Sequence, residues 1–322
     1  MINCLVTGAN GFVGLAVVKR LHEMSRFAIG AAVRQGRQPF PLGVSVHSGF
    51  DLSAVADWKP ALLDVDCVIH AAGLVHVMHG TSGNSLEKFR RINVEGTMDL
   101  ARQSAAARVR RFIFISSIKV NGEETAFGRP YTPDAAPAAV DAYGISKCEA
   151  EEALRRLAAD TGMEVVIIRP PLVYGPGVRA NFLSMMRWLY RGVPLPLGAI
   201  HNRRSLVALD NLVDLIVTCV DHPAAANQTF LVSDDEDLST TELCRRMGDA
   251  LGKQARLLPV PAWVLMTGAA LLGKRALSQR LCGSLQVDIS KTKSLLGWSP
   301  LVSVNEGLRG AAQHFSTMDG VQ

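Results

Sequence analysis

A chain of 322 residues is long enough for one large domain and a smaller second lobe, with ample core. Its composition, 48% hydrophobic and 20% charged, excludes a largely disordered protein. The net charge of +5 and pI near 9.0 come from scattered Lys and Arg. There is no basic run with interleaved aromatics, so no nucleic-acid partner is expected, while the mild excess suits anionic ligands.

The six cysteines (Cys4, Cys67, Cys148, Cys219, Cys244 and Cys282) are widely spaced, with no C-x-x-C pair and no histidine at metal spacing. They read as reduced, unpaired thiols, and no metal site is expected. Ile2 to Val6 already reads as a strand, with no signal peptide ahead of it, so the expected location is the cytoplasm. The longest apolar stretch, Ala262 to Gly273, is too short to span a bilayer and reads as a lobe helix started by Pro261, with a membrane-facing helix as the alternative.

In chain order, short apolar runs predict strands at Asn3–Val6, Ile29–Val33, Val44–His47, Cys67–His70, Phe112–Ser116 and Val165–Arg169. Amphipathic runs between and after them predict helices at Phe12–Met24, Leu86–Ala106, Ala142–Thr161 and Asn211–Cys219. Runs of four to six residues with few polar interruptions fit strands buried on both faces of a parallel sheet. The alternation predicts a doubly wound α/β domain, with ligands gathered along the C-terminal strand edge. After Arg169 the cluster Pro170, Pro171, Gly175, Pro176 and Gly177 marks an excursion into a second lobe. Val207–Leu209 and Phe230–Val232 are expected to be strands rejoining the main domain. The predicted division is 1–169 rejoined by about 205–250, with 170–204 and 251–322 forming the smaller lobe.

Thr7-Gly8-Ala9-Asn10-Gly11-Phe12-Val13-Gly14 follows the first strand and opens the first helix. Gly8 permits a tight turn, Gly11 lets the backbone approach a pyrophosphate, and Gly14 lets helix and strand pack closely. The helix N-terminus offers free N–H groups to phosphates, which makes the domain a Rossmann-type dinucleotide binder. Cofactor type is read at the end of the second strand, where an Asp or Glu would hold the ribose hydroxyls of NAD. Here the residues are Ala31-Ala32-Val33-Arg34, with Arg37 close behind. A guanidinium suits the 2′-phosphate of NADP, so NADP(H) is expected ahead of NAD(H).

Tyr143 and Lys147 stand four apart and share one helix face. A free tyrosine has a pKa of about 10, and a neighbouring ammonium would lower it, so Lys147 is expected to tune Tyr143 as acid/base. The segment ending the strand before them carries Ser116 and Ser117, of which one would bind the same substrate oxygen.

These motifs resemble the extended short-chain dehydrogenase/reductases, in particular the NAD-dependent epimerase/dehydratase family. Glycines spaced G-x-x-G-x-x-G, Tyr143-Gly144-Ile145-Ser146-Lys147 and Arg169-Pro170-Pro171-Leu172-Val173-Tyr174-Gly175-Pro176-Gly177 carry the likeness. Matches run in order from Thr7 to Leu308. Val120-Asn121-Gly122 stands where the family has V-Y-G, and that register selects Ser117 over Ser116 as catalytic. The resemblance further implies that Asn93 supports the lysine through water. It implies that Asp51 and Leu52 meet the adenine end of the cofactor. Ala71, Ala72 and Gly73 (of His70-Ala71-Ala72-Gly73) would line the cofactor, with Pro170 beside the nicotinamide.

Arg204-Ser205-Leu206-Val207-Ala208-Leu209-Asp210-Asn211-Leu212 resembles the R-x-(Y/F)-V-x-V-x-D-L stretch of sugar-nucleotide enzymes, and Leu296-Gly297-Trp298-Ser299-Pro300 matches their C-terminal signature. This implies a UDP-sugar substrate, with Arg204 and Asn181 on its diphosphate. A packing role is expected for Trp298 and Pro300. His76 and His79 are loop residues outside the catalytic set. Ser117-Ile118-Lys119 replaces the acidic pair that dehydratases of the family carry beside the serine, which argues against dehydration. The resemblance to bacterial polysaccharide enzymes puts a 4-keto reductase of UDP-4-keto-6-deoxy-N-acetylhexosamines, in O-antigen (lipopolysaccharide) synthesis, first. A UDP-hexose or UDP-N-acetylhexosamine 4-epimerase with tightly held NAD follows. A non-catalytic dinucleotide-binding regulator comes last, since such relatives usually lack the Tyr or Lys. Relatives dimerise through the helices at about 86–106 and 142–161, so a homodimer is expected.

Overall fold

The computed structural model describes residues 1–35, 40–54, 56–75, 85–271, 273 and 275–318. Arg37, His76 and His79 lie outside the described residues. The apolar runs form strands β1 (Ile2–Thr7), β2 (Phe27–Val33), β3 (Ser45–Ser48), β4 (Cys67–His70), β5 (Arg111–Ile115) and β6 (Glu164–Arg169). With a later strand, β9 (Thr229–Leu231), they make a seven-stranded sheet in the order β3-β2-β1-β4-β5-β6-β9, with every pair parallel. The chain reverses direction across the sheet between β1 and β4, which opens a crevice at their C-terminal ends.

Helices cover both faces, as strands without a polar side require. α1 (Phe12–Glu23) and α6 (Leu209–Asp221) pack on one face through Val17, Val18, Leu21, Leu212, Leu215 and Ile216. α3 (Thr97–Ala106) and α4 (Ala142–Thr161) cover the other through Leu100, Ala101, Ala150 and Leu154. α4 begins at Asp141, whose carboxylate caps Gly144 N at 2.7 Å, and ends on Gly162 in the left-handed conformation.

The helix expected over Leu86–Ala106 is broken. It runs as α2 (Ser85–Phe89), a π-helical turn over Arg90–Gly96, and α3. Asn93 sits inside that turn. Gly96 closes it against residue 52, because a Cβ at Gly96 would lie 2.3 Å from the Leu52 carbonyl oxygen.

A second, three-stranded sheet joins β7 (Leu172–Tyr174), β8 (Arg204–Ala208) and β10 (Asp237–Leu238). The strand expected at Val207–Leu209 therefore does not rejoin the main sheet. It pairs with β7, because the proline-rich excursion brings Leu172–Tyr174 alongside it, and Leu209 already starts α6. Around this small sheet α5 (Ala180–Tyr190), α7 (Thr240–Ala250) and α11 (Val304–Met318) form a separate apolar core. Three further helices follow α7: α8 (Ala262–Leu271), α9 (Arg275–Cys282) and α10 (Ser290–Leu296). Trp298 is buried in the main core, with its indole N–H on Asp214 at 2.8 Å.

Candidate active site

The crevice is floored by glycine contacts that no other residue could make. Gly8 has φ +63°, and a Cβ there would lie 2.8 Å from Ala72 Cα. A Cβ on Gly14 would lie 2.2 Å from the Gly8 carbonyl oxygen. Gly11 donates to that oxygen at 2.8 Å and serves as N-cap of α1, where no side chain caps the helix and no acidic residue occupies the first turn. The N–H groups that begin at Phe12 and Val13 thus face the crevice as an uncapped, electropositive helix end, which fits a dinucleotide pyrophosphate. Asn10 reaches across to the Gln35 carbonyl at 3.4 Å.

At the rim, Arg34 is exposed at the end of β2, and no carboxylate of that strand faces it. Asp51 accepts from Ser53 N at 2.9 Å. That bond, with Arg34 and Arg91 nearby, holds its carboxyl below the usual carboxylate range. Ala71 and Ala72 are half-buried and Gly73 is exposed, together continuing β4 into the crevice.

His70, which ends β4, is fully buried between Thr7 Oγ1 (2.7 Å) and Thr97 Oγ1 (3.0 Å). Burial, with the Lys147 charge nearby, pushes its pKa down to about 3, so it is a neutral strut and not an acid or base.

Ser116 and Ser117 diverge at the end of β5. Ser116 Oγ donates to Glu151 Oε1 at 2.5 Å, inside a buried cluster in which Arg169 reaches the same carboxylate through Nε (2.9 Å) and Nη2 (2.6 Å). Ser117 instead accepts from Lys119 N at 3.2 Å, and its hydroxyl lies near enough to the Tyr143 phenol to pull that group's pKa down. Geometry therefore separates the two serines, and Ser117 is the one brought to Tyr143.

Burial pushes the Tyr143 phenol up to about 12, against the downward pull of Ser117, and Asp141 adds a further upward push. The net shift is thus upward, opposite to the lowering by Lys147 expected from sequence. The Lys147 ammonium lies below, on the Ile115 carbonyl (2.9 Å) and over the Phe114 ring (4.3 Å from the centroid), and burial lowers it to about 8. Helix spacing puts the two residues on one face, but the longer lysine bends back to the sheet.

Asn93 is held by Leu74, donating to its carbonyl at 3.0 Å and accepting from its N–H at 2.8 Å. Its amide also donates to Ser146 Oγ at 3.0 Å, and Ser146 donates to the Tyr143 carbonyl at 2.7 Å. A Cβ on Gly73 would come within 3.2 Å of Asn93 Oδ1 and 3.4 Å of Lys147 Nζ, so the three meet at one point. Pro170 is buried, and its carbonyl accepts from Ile118 N at 3.0 Å, tying β6 to the serine segment.

The residues expected on a substrate diphosphate lie apart from this cluster in the chain. Asn181 is exposed on the first turn of α5. Arg204 donates to the Gly283 carbonyl at 2.9 Å, and burial lowers its pKa while Glu124 opposes that shift.

Sequence reasoning passed over Ser146, Glu151 and the role of Arg169. Glu151 could have been found, since it continues the Tyr143, Lys147 face by one more turn. Nothing local distinguishes Ser146 from a solvated helix serine. Among the described residues, no group of three or more His, Cys, Asp and Glu is placed to hold a metal.

A switch-point sheet that carries a glycine cradle on one side and a serine–tyrosine pair on the other defines an extended short-chain dehydrogenase/reductase. Within that class, residues 4–233 match the model of the NAD dependent epimerase/dehydratase family, and the chain belongs to it. It is 49% identical over 312 residues to a protein of Vibrio cholerae named UDP-glucose 4-epimerase, covering 97% of this chain and 94% of that one. The fold is shared with a UDP-glucuronic acid 4-epimerase from Bacillus cereus in complex with NAD (TM-score 0.79, 20% identity, 98% and 99% of the two chains). It is also shared with a UDP-glucose 4-epimerase from Thermotoga maritima with UDP-glucose (TM-score 0.78, 22% identity, 98% and 99%).

Proposed function

We propose that this protein is a 4-epimerase of a UDP-hexose or UDP-N-acetylhexosamine, using a nicotinamide dinucleotide held in the glycine cradle. The 49% identity to the Vibrio cholerae protein, which extends through the substrate lobe, carries this reading and reverses the order expected from sequence. Bound in the crevice, the nicotinamide would take up and return the hydrogen on C4 of the sugar.

The chain's own groups do the rest. Tyr143 exchanges the proton of the C4 hydroxyl, and Ser117 holds the same oxygen. Lys147, fixed on the Ile115 carbonyl, keeps a positive charge at the crevice floor. Asn93 and Ser146 fix the first turn of α4, so that Tyr143 does not swing away. Gly8, Gly11, Gly14, the N–H groups of the first turn, Asp51, Leu52, Ala71, Ala72, Gly73 and Pro170 line the cofactor. Asn181 and Arg204 take the diphosphate. The lobe around the small sheet of β7, β8 and β10 encloses the nucleotide, and the protein works in the cytoplasm as a homodimer through α3 and α4.

A second reading, the 4-keto reductase of O-antigen sugars, is favoured by Arg34, which suits the 2′-phosphate of NADP(H) and leaves NAD without its usual carboxylate. One experiment separates the two. Purified protein is given UDP-glucose or UDP-N-acetylglucosamine without added cofactor, and separately a UDP-4-keto-6-deoxy sugar with NADPH or NADH. Interconversion with the C4 epimer in the first arm supports epimerase. Cofactor consumption confined to the second arm overturns it in favour of the reductase.

A further inference from the structure

We infer that α8 docks the substrate lobe onto an anionic lipid surface, lying in the interface and not crossing it. The helix Ala-Trp-Val-Leu-Met-Thr-Gly-Ala-Ala-Leu is apolar all round and none of its residues is buried. Trp263, Thr267 and Leu271 form one i, i+4, i+8 row on its open side, with Val264 and Met266 flanking it. Trp263 is 70% exposed, Met266 50% and Leu271 84%, and Leu258 just ahead is 51% exposed. Scattered exposed apolar residues need no explanation, but an aromatic and several large aliphatics on one ten-residue helix form a patch. A helix of that length rises about 15 Å, half of a bilayer's hydrocarbon core. No described helix is long and apolar enough to cross a membrane.

Charge identifies what covers the patch. Between Asp249 and Asp288 the sequence contains no carboxylate, yet it carries Lys253, Arg256, Lys274, Arg275 and Arg280 on both sides of the apolar run. Arg256 and Arg280 are exposed. Elsewhere the chain balances its charges closely, with 34 Lys and Arg against 29 Asp and Glu, so the uncompensated cations of this segment equal the whole net charge of +5. A second copy of the chain seated on α8 would bring like charges together. Anionic headgroups pair with the flanking cations while the row from Trp263 to Leu271 enters the acyl boundary. Glu124, which lines one cleft with Met266 and Thr267, is exposed but accepts from Gln279 Nε2 at 3.0 Å.

The test is co-sedimentation of the full chain with vesicles of phosphatidylglycerol and phosphatidylethanolamine, against vesicles of phosphatidylcholine alone. Wild type is expected to partition at least tenfold more strongly onto the anionic vesicles, and 0.5 M salt should release it. The double variant Met266→Glu, Leu271→Glu is expected to lose that binding tenfold or more with an unchanged urea midpoint. Arg256→Gln with Arg275→Gln should weaken binding to anionic vesicles alone. Wild type remaining in the supernatant with both vesicle types overturns the inference. So does a dimer in solution that the Met266→Glu, Leu271→Glu variant splits into monomers without any vesicle binding by wild type, since α8 would then face a second copy.

Discussion

Ser116 and Ser117 are adjacent and chemically identical, and substitution should separate them on two different axes. Ser116→Ala removes the donor that meets Glu151 Oε1 at 2.5 Å in a fully enclosed cluster. A hydrogen bond to a charged group contributes about 1.5–3 kcal/mol. Arg169 and Arg155 still hold the carboxylate afterwards, so the lower part of that range, about 1.5–2 kcal/mol, is expected. Turnover should stay within about threefold, because no atom of Ser116 faces the crevice. Ser117→Ala loses the hydroxyl beside the Tyr143 phenol and a local cap on Lys119 N, costing about 0.5–1 kcal/mol of stability but about 10²–10³-fold in kcat/KM. Urea unfolding followed by tryptophan fluorescence measures the first axis, with the buried Trp58 and Trp298 as reporters, and steady-state turnover measures the second. A Ser117→Ala enzyme with full turnover, or a Ser116→Ala enzyme that is inactive at unchanged stability, would refute the division of roles.

Three further outcomes follow from the same geometry. Lys147 has a folded pKa near 8 against 10.5 when free, so the unfolded chain binds more protons between those values and stability rises with pH across that window. Lys147→Met should abolish turnover, stabilise the fold at pH 7 by on the order of 1–3 kcal/mol, and flatten that rise; equal pH slopes for variant and wild type would contradict it. Gly8→Ala, at φ +63° with its Cβ 2.8 Å from Ala72, should weaken dinucleotide binding at least tenfold in a calorimetric titration. Gly43→Ala, at φ +90° but with open space around it, should leave that binding unchanged. Arg34→Asp should lower the ratio of NADPH to NADH affinity at least tenfold, and an unaltered ratio would make Arg34 a bystander.

Much of the sheet was readable because buried parallel strands advertise themselves as unbroken apolar runs: Cys67–His70 and the helix Ala142–Thr161 keep the limits expected of them. The cradle was equally readable, since Gly8 and Gly14 are demanded by backbone contacts that their spacing encodes. Three features were not. The π turn at Arg90–Gly96 has no local signal that separates it from an α-helix, and the Leu52 carbonyl that Gly96 meets is remote in sequence. β8 has the composition of a main-sheet strand, and its partner β7 was hidden in a proline-rich segment read as loop. Lys147 was expected beside the tyrosine oxygen because helix periodicity fixes where a Cβ points. It does not fix where a four-carbon stem ends, and here the Ile115 carbonyl and Phe114 ring capture the ammonium.

The Glu151 carboxylate has a wider consequence. It receives Ser116 from the end of β5, Arg169 from the end of β6 and Arg155 from its own helix, while Arg169 also reaches Asn121 Oδ1 at 2.9 Å. Strand ends, serine segment and helix are therefore riveted at one buried point. Amide hydrogens around it should exchange only when the whole domain opens, as a single foldon. Motion needed for a ligand to enter and leave the crevice must then be drawn from the small sheet and its helices. Sequence drift at Glu151 or Arg169 has to be answered at the other, because neither can be lost alone without stranding a buried charge.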